Sequence, residues 1–134
     1  MIESELLERE TTSEIIGAFY DVYGKLGFGF LEHVYSHALE RELVARGRIV
    51  AREVSIQIFY DGEALTTQRL DMIVDESVVV EVKSTATLPP FAQRQTLNYL
   101  RASTLQVGLI LHFGPEPRFY RLVHTRKPAA GQPR

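Results

Sequence analysis

The chain has 134 residues, 45% hydrophobic and 24% charged, with a net charge of −2, which fits one globular domain able to bury a core. It contains no cysteine, which excludes disulfides, thiolate metal sites and a cysteine nucleophile and is compatible with a reducing, cytoplasmic setting. The acidic start MIESELLERE lacks the basic and apolar regions of a signal peptide, and no apolar run approaches the ~20 residues of a membrane span, so no membrane partner is expected.

Charge is uneven along the chain. Residues 1–14 hold five Glu and one Arg, whereas residues 121–134 hold four basic residues and no acid. The expected organisation is an acidic N-terminal extension over 1–12, one domain over 13–124 and a disordered basic tail over 125–134. Thr12 or Ser13 is positioned to cap a first helix, whose apolar set Ile15, Ile16, Phe19, Tyr20, Val22, Tyr23 and Leu26 has helical spacing and stops near Gly27. A second helix reads from Leu31 to Arg46, closed by Gly47.

The pattern then changes to period two. Val54, Ile56, Ile58 and Tyr60 alternate with Ser55, Gln57 and Phe59, and Asp61-Gly62 is a hairpin signal. Thr66 to Val74 reads as the return strand, Asp75-Glu76 as a second tight turn, and Ser77 to Lys83 as a valine-rich third strand. Pro89-Pro90 precedes a helix from Phe91 to Ala102. Leu105 to Phe113 reads as a buried strand and Arg118 to His124 as a last one. The order α-α-β-β-β-α-β-β describes a small α/β sandwich.

Side chains alternate faces along a strand, so Arg69, Asp71 and Ile73 should share one face, and Val79, Glu81 and Lys83 another. The turn at Asp75-Glu76 brings these strands side by side, with Asp71 four residues before it and Glu81 five after. A carboxylate inserted into Val78-Val79-Val80-Glu81-Val82 is costly, because burial and a neighbouring like charge both oppose ionisation. A divalent cation bound by both carboxylates removes that cost; Mg²⁺ suits the pair, since it commonly takes one or two carboxylates, waters and substrate phosphate. Lys83 could then orient a water or stabilise charge on phosphoryl oxygens.

An E-x-K triplet alone is weak evidence: with 13 Glu and 3 Lys it is expected about 0.3 times by chance. The upstream Asp, the phasing and the use of Lys in a chain with 12 Arg and only 3 Lys strengthen it. The competing structural reading is an interstrand ion pair of Lys83 with Asp71 or Glu81.

Further motifs stand in order. Gly29, Glu32 and Tyr35 form G-x-x-E-x-x-Y; Arg69-Leu70-Asp71, Glu81-Val82-Lys83, Gln95 to Tyr99 and Gly108 to Gly114 follow. Together they resemble the bacterial GxxExxY family of the PD-(D/E)xK nuclease superfamily, over residues 12–124. The resemblance implies a restriction-endonuclease-like αβββαβ core, a mixed sheet flanked by helices. It also implies that Asp71, Glu81 and the Val82 carbonyl bind Mg²⁺, with Mn²⁺ as a substitute, that Lys83 serves the nucleophilic water, and that Glu32 is an auxiliary acid near the metal. Gln95 and Tyr99 would lie beside the substrate phosphate. The superfamily's proline is replaced by Leu70, which does not affect ligation, and His112 stands where Asn is expected.

Other residues admit plain readings. Glu32 could merely favour a helix N-terminus and Tyr35 fill the core. Arg94 and Arg101 form a basic stripe that could contact phosphate or face solvent. Arg69 could hold phosphate or pair with Glu81. His33 and His37 could chelate zinc but lack the glutamate of H-E-x-x-H. The expected function is hydrolysis of nucleic-acid phosphodiester bonds, with DNA ahead of RNA and a homodimer compatible. The alternative is a catalytically silent nucleic-acid- or protein-binding module on the same fold.

Overall fold

The computed structural model describes residues 7–125; residues 1–6 of the expected acidic extension and 126–134 of the expected disordered tail lie outside the described residues. The elements follow the order read from the sequence: α1 (Arg9–Leu26), α2 (Glu32–Ala45), β1 (Val50–Tyr60), β2 (Glu63–Val74), β3 (Val78–Lys83), α3 (Ala92–Ala102), β4 (Val107–Phe113) and β5 (Pro117–Val123). The strands form a sheet in the order β1-β2-β3-β4-β5. Among the described residues only β3 and β4 run parallel, and α3 supplies the crossover that a parallel pair requires. This is the expected α/β architecture, a mixed sheet flanked by helices.

The alternation of side chains decides where each helix packs. Met72, Val74, Val78, Val80, Val82, Leu109, Leu111 and Phe113 face α1 and α2, where Ile15, Phe19, Val22, Tyr35, Leu39 and Leu43 complete the larger core. Val79 points the other way and packs with Leu70 and Leu100, beside Ile73 and Leu105, in a smaller core under α3. Strands covered on both faces carry near-continuous apolar runs, which explains the valines of β3. A Cβ at Gly108 would stand 3.0 Å from the Thr96 methyl, so glycine there lets α3 seat closely on β4.

Helix α1 begins earlier than its sequence suggested. Thr12 is inside it, its hydroxyl donating back to the Arg9 carbonyl at 3.1 Å, so it is not the cap. The Thr11 hydroxyl donates to Asp75 at 3.1 Å, tying this first turn to the β2–β3 connection. That tertiary bond favours helix where the local sequence suggested a boundary. The hairpin at Asp61-Gly62 is as expected: φ is 51° and 79°, the positive pair that a two-residue I′ turn needs.

One departure from alternation matters for the site. Val50 packs in the larger core and Ile56 in the smaller, although both positions are even; Met72 and Leu70 divide in the same way. The faces swap at Glu53 and Asp71. Ladder pairs run Arg52↔Met72 and then Val54↔Leu70, with the pair between them missing, and Glu53 has a φ of 55°. Each strand places one residue off the pleat, so the register survives while the faces exchange. The expectation that Arg69, Asp71 and Ile73 share a face therefore fails at Ile73, which lies beyond the swap.

Candidate active site

Asp71 is also where β2 parts from β3. Their ladder covers Val74↔Val78, Ile73↔Val79 and Met72↔Val80 and then stops. At the next position, where Asp71 and Glu81 would face each other, side chains replace the ladder. The Asp71 amide donates to Glu81 Oε2 at 3.1 Å, and the Val82 amide donates to Asp71 Oδ2 at 2.7 Å. Each carboxylate thus satisfies a backbone donor that the parting of the strands would otherwise leave unpaired.

This arrangement fixes two acids side by side in a poorly solvated place. Glu81 is 6% exposed. Its pKa is raised to about 8, by burial first and by the charge of Asp71 second, against the lowering effects of the Asp71 amide and of Lys83. Glu32, the first residue of α2, is exposed overall. Its carboxyl nonetheless lies near enough to Lys83, Asp71 and the Ser84 amide to be influenced by each, and its pKa is raised, chiefly by burial. Tyr99 on α3 is raised by burial and then by the charges of Glu81 and Asp71. Lys83 follows Glu81 by two residues and makes no ion pair among the described residues, so the interstrand ion pair with Asp71 or Glu81 is not formed.

The G-x-x-E-x-x-Y motif positions Glu32. Gly29 has a φ of 116°, which only glycine adopts readily. The hydroxyl of fully buried Tyr35 donates to the Gly27 carbonyl at 2.5 Å and accepts from the Phe30 amide at 3.2 Å. Its ring stacks on Phe113 with centroids 4.1 Å apart. Tyr35 is core, as its plain reading held, and it also pins the loop that delivers Glu32 to the start of α2.

A hollow of about 440 Å³ opens over Asp71, lined also by Glu32, His33, Ser36, His37, Arg52, Glu53, Arg69 and Leu70. Arg69 reaches this hollow, but its partner is Glu53 rather than Glu81. Arg52, on the wall of the hollow, donates to Glu40 of α2 at 2.8 Å. Neither Glu53 nor Arg52 carried a signal in the sequence, because their roles depend on the face swap. Gln95 lies one turn from Tyr99 with its side chain exposed, and Arg94 is exposed on α3; no contact joins either to the carboxylates among the described residues. His112, nearly buried beside Lys83 on the neighbouring strand, bonds through Nε2 to the Thr85 carbonyl at 2.8 Å, holding the loop after β3.

The donor set fits a hard divalent cation. Among the described residues no three His, Cys, Asp or Glu side chains converge as a closed metal cage. Two adjacent carboxylates, each with one oxygen free of the backbone bonds described, instead suit an ion that completes its shell with water and phosphate. A buried glutamate whose ionisation is opposed by its neighbour gains most from such an ion.

No curated protein sequence matches the chain. The crystal structure of SSO0001 matches with a TM-score of 0.55 at 20% identity, over 90% of this chain and 60% of that one. The chain thus spans less than two thirds of that protein, and at this identity the likeness shows the fold alone, consistent with the restriction-endonuclease-like architecture. Among the described residues no helix is long and apolar enough to cross a membrane. The family description "PD-(D/E)XK nuclease superfamily" matches residues 9–122. That match covers Asp71, Glu81, Lys83 and the Glu32 loop together, and the chain belongs to the PD-(D/E)XK nuclease superfamily.

Proposed function

We propose that the protein is a Mg²⁺-dependent nuclease, of the GxxExxY group within its superfamily, that hydrolyses phosphodiester bonds of nucleic acid, with DNA the first substrate to test. The observation that carries this reading is the Asp71–Glu81 pair, two acids locked together at the point where β2 and β3 part, with Lys83 beside them and in no ion pair among the described residues. Asp71, Glu81 and the Val82 carbonyl would hold the ion, with Glu32 at its margin. When bound, a divalent cation neutralises the carboxylates, lowers the pKa of a coordinated water and polarises the phosphoryl group.

The chain's own groups supply the rest. Lys83, in no ion pair among the described residues, would orient the attacking water and offset charge on the phosphoryl oxygens. Tyr99 faces the charges of Glu81 and Asp71 from α3, and Gln95, one turn earlier, extends that edge toward substrate. Arg69 and Arg94 are the arginines proposed to meet phosphate, Arg69 by exchanging Glu53 for it.

Calorimetric titration of Mn²⁺ into the wild type and Asp71→Asn tests the site, and a cleavage assay on single- and double-stranded DNA and RNA tests the activity. The expected result is Mn²⁺ binding lost in Asp71→Asn, and cleavage that requires divalent metal. Metal binding without cleavage of any of these substrates would favour the catalytically silent module. Retention of Mn²⁺ binding in Asp71→Asn would remove the site itself.

A further inference from the structure

A second cavity adjoins the hollow over Asp71. It is a groove of about 560 Å³ between the end of α1 and the outer side of α2, within the range that small-ligand sites occupy. Val22, Leu26, Val34 and Ala38 make its floor aliphatic, while Lys25, His33, His37, Arg41 and Glu42 stand on its walls. His33 and His37 line both cavities, so the groove and the hollow adjoin along α2 at these two rings.

The wall follows from helix geometry. His33, His37 and Arg41 fall at i, i+4 and i+8, one stripe along α2. At ~1.5 Å rise per residue, the stripe runs about 12 Å from the Glu32 end of the helix. Lys25 is engaged by Glu42 at 3.2 Å, whereas Arg41 pairs with no carboxylate among the described residues. In a chain of net charge −2, Arg41 is an exposed cation at the far end of a polar stripe that starts beside a carboxylate site, and its charge is complementary to a phosphate backbone.

An aliphatic floor beside two imidazole rings accepts the face of a base, and an arginine on the rim accepts a phosphate. A duplex keeps its bases stacked inside and offers a wall of this kind only its backbone. We propose that the α1–α2 groove is a binding site for single-stranded nucleic acid, taking a base on the aliphatic floor and the adjoining phosphates along His37 and Arg41, and leading the strand to the hollow over Asp71. This rests on the nuclease reading of the neighbouring site.

The test is binding rather than turnover. In a Lys83→Ala background with Mg²⁺ present, anisotropy of labelled dT and rU oligomers is compared with that of a DNA duplex of the same length. Arg41→Glu, an exposed change, should weaken binding of the better single strand at least 10-fold and the duplex less than 3-fold, with a smaller salt dependence for the single strand. Ala38→Trp, which fills the floor, should do the same. Unchanged single-strand binding in both variants, equal losses for single strand and duplex, or no single-strand binding by the Lys83→Ala parent would overturn the groove. Mn²⁺ titration separates the two readings: it should be unaltered by Arg41→Glu, and failure of the parent to bind Mn²⁺ would instead remove the nuclease site.

Discussion

The two ends of the β2–β3 pair are built from neighbouring residues but obey different rules. From Met72 to Val74, opposite Val80 to Val78, the strands form an ordinary ladder whose even-numbered side chains are buried in the larger core. One residue further on, Asp71 and Glu81 part the strands and occupy the backbone donors with carboxylates. The ladder end contributes stability through burial and regular bonding. The carboxylate end gives up stability, because it holds a nearly buried acid beside another. The contrast shows how closely a candidate site can adjoin regular structure: Met72 and Asp71 are consecutive residues.

Substitutions on either side should separate the two ends. The largest effect on stability is expected from Met72→Ala, which deletes a fully buried side chain and should cost about 2–5 kcal/mol in urea unfolding, with Mn²⁺ affinity preserved under folding conditions. Lys83→Ala should act in the opposite sense. Cleavage should fall about 10²–10³-fold, as when a donor to developing charge is lost, with the urea midpoint nearly unchanged because Lys83 makes no ion pair among the described residues. Equal effects of both substitutions on stability and on rate would erase the distinction.

The pH dependence of stability sharpens it. Glu81 titrates near 8 in the folded chain against an ordinary value of 4.5. Between those values the folded state holds a proton that the unfolded state has released. Its contribution is therefore complete below about pH 4.5 and is lost as pH rises through about 8. Without metal, the wild type should lose stability across this window, with a slope of up to about 1.4 kcal/mol per pH unit from this one proton. Glu81→Gln should flatten the slope and Mg²⁺ should oppose it; matching slopes for wild type and variant would assign the pH dependence elsewhere. The smallest effect is expected for Tyr35→Phe, which removes the hydroxyl that pins the Gly27–Phe30 loop. It should cost about 1 kcal/mol and lower cleavage severalfold through Glu32, a fall that Mn²⁺ titration should accompany with weaker binding.

The sequence was most informative where one physical signal dominated. Valines interrupted by Glu81 and then Lys83 marked both the doubly covered strand and the acid within it. Asp61-Gly62 fixed a hairpin, and the change from helical spacing to period two located the boundary between α2 and β1. Three features were not legible. The helical start at Arg9 depends on Thr11 reaching Asp75, 64 residues away. The face swap at Glu53 and Asp71 uses a glutamate at positive φ, where no glycine advertises a bulge. The pairing of Arg69 with Glu53 rather than Glu81 follows from that swap. Tyr35 was read correctly as core, but its hydroxyl's hold on the loop before Glu32 becomes visible only when Gly27 and Phe30 are seen folded over it.

The bonds from the Asp71 and Val82 amides to carboxylates have a consequence for how these protons exchange with heavy water. Amides elsewhere in the sheet are released when strands open, so their exchange clocks report the opening free energy of the fold. These two amides are held by side chains, one of which changes ionisation near neutral pH. The Asp71 amide is held by Glu81, so its exchange should follow the ionisation of that acid as well as the opening of the sheet, a gauge of the site readable without substrate or turnover.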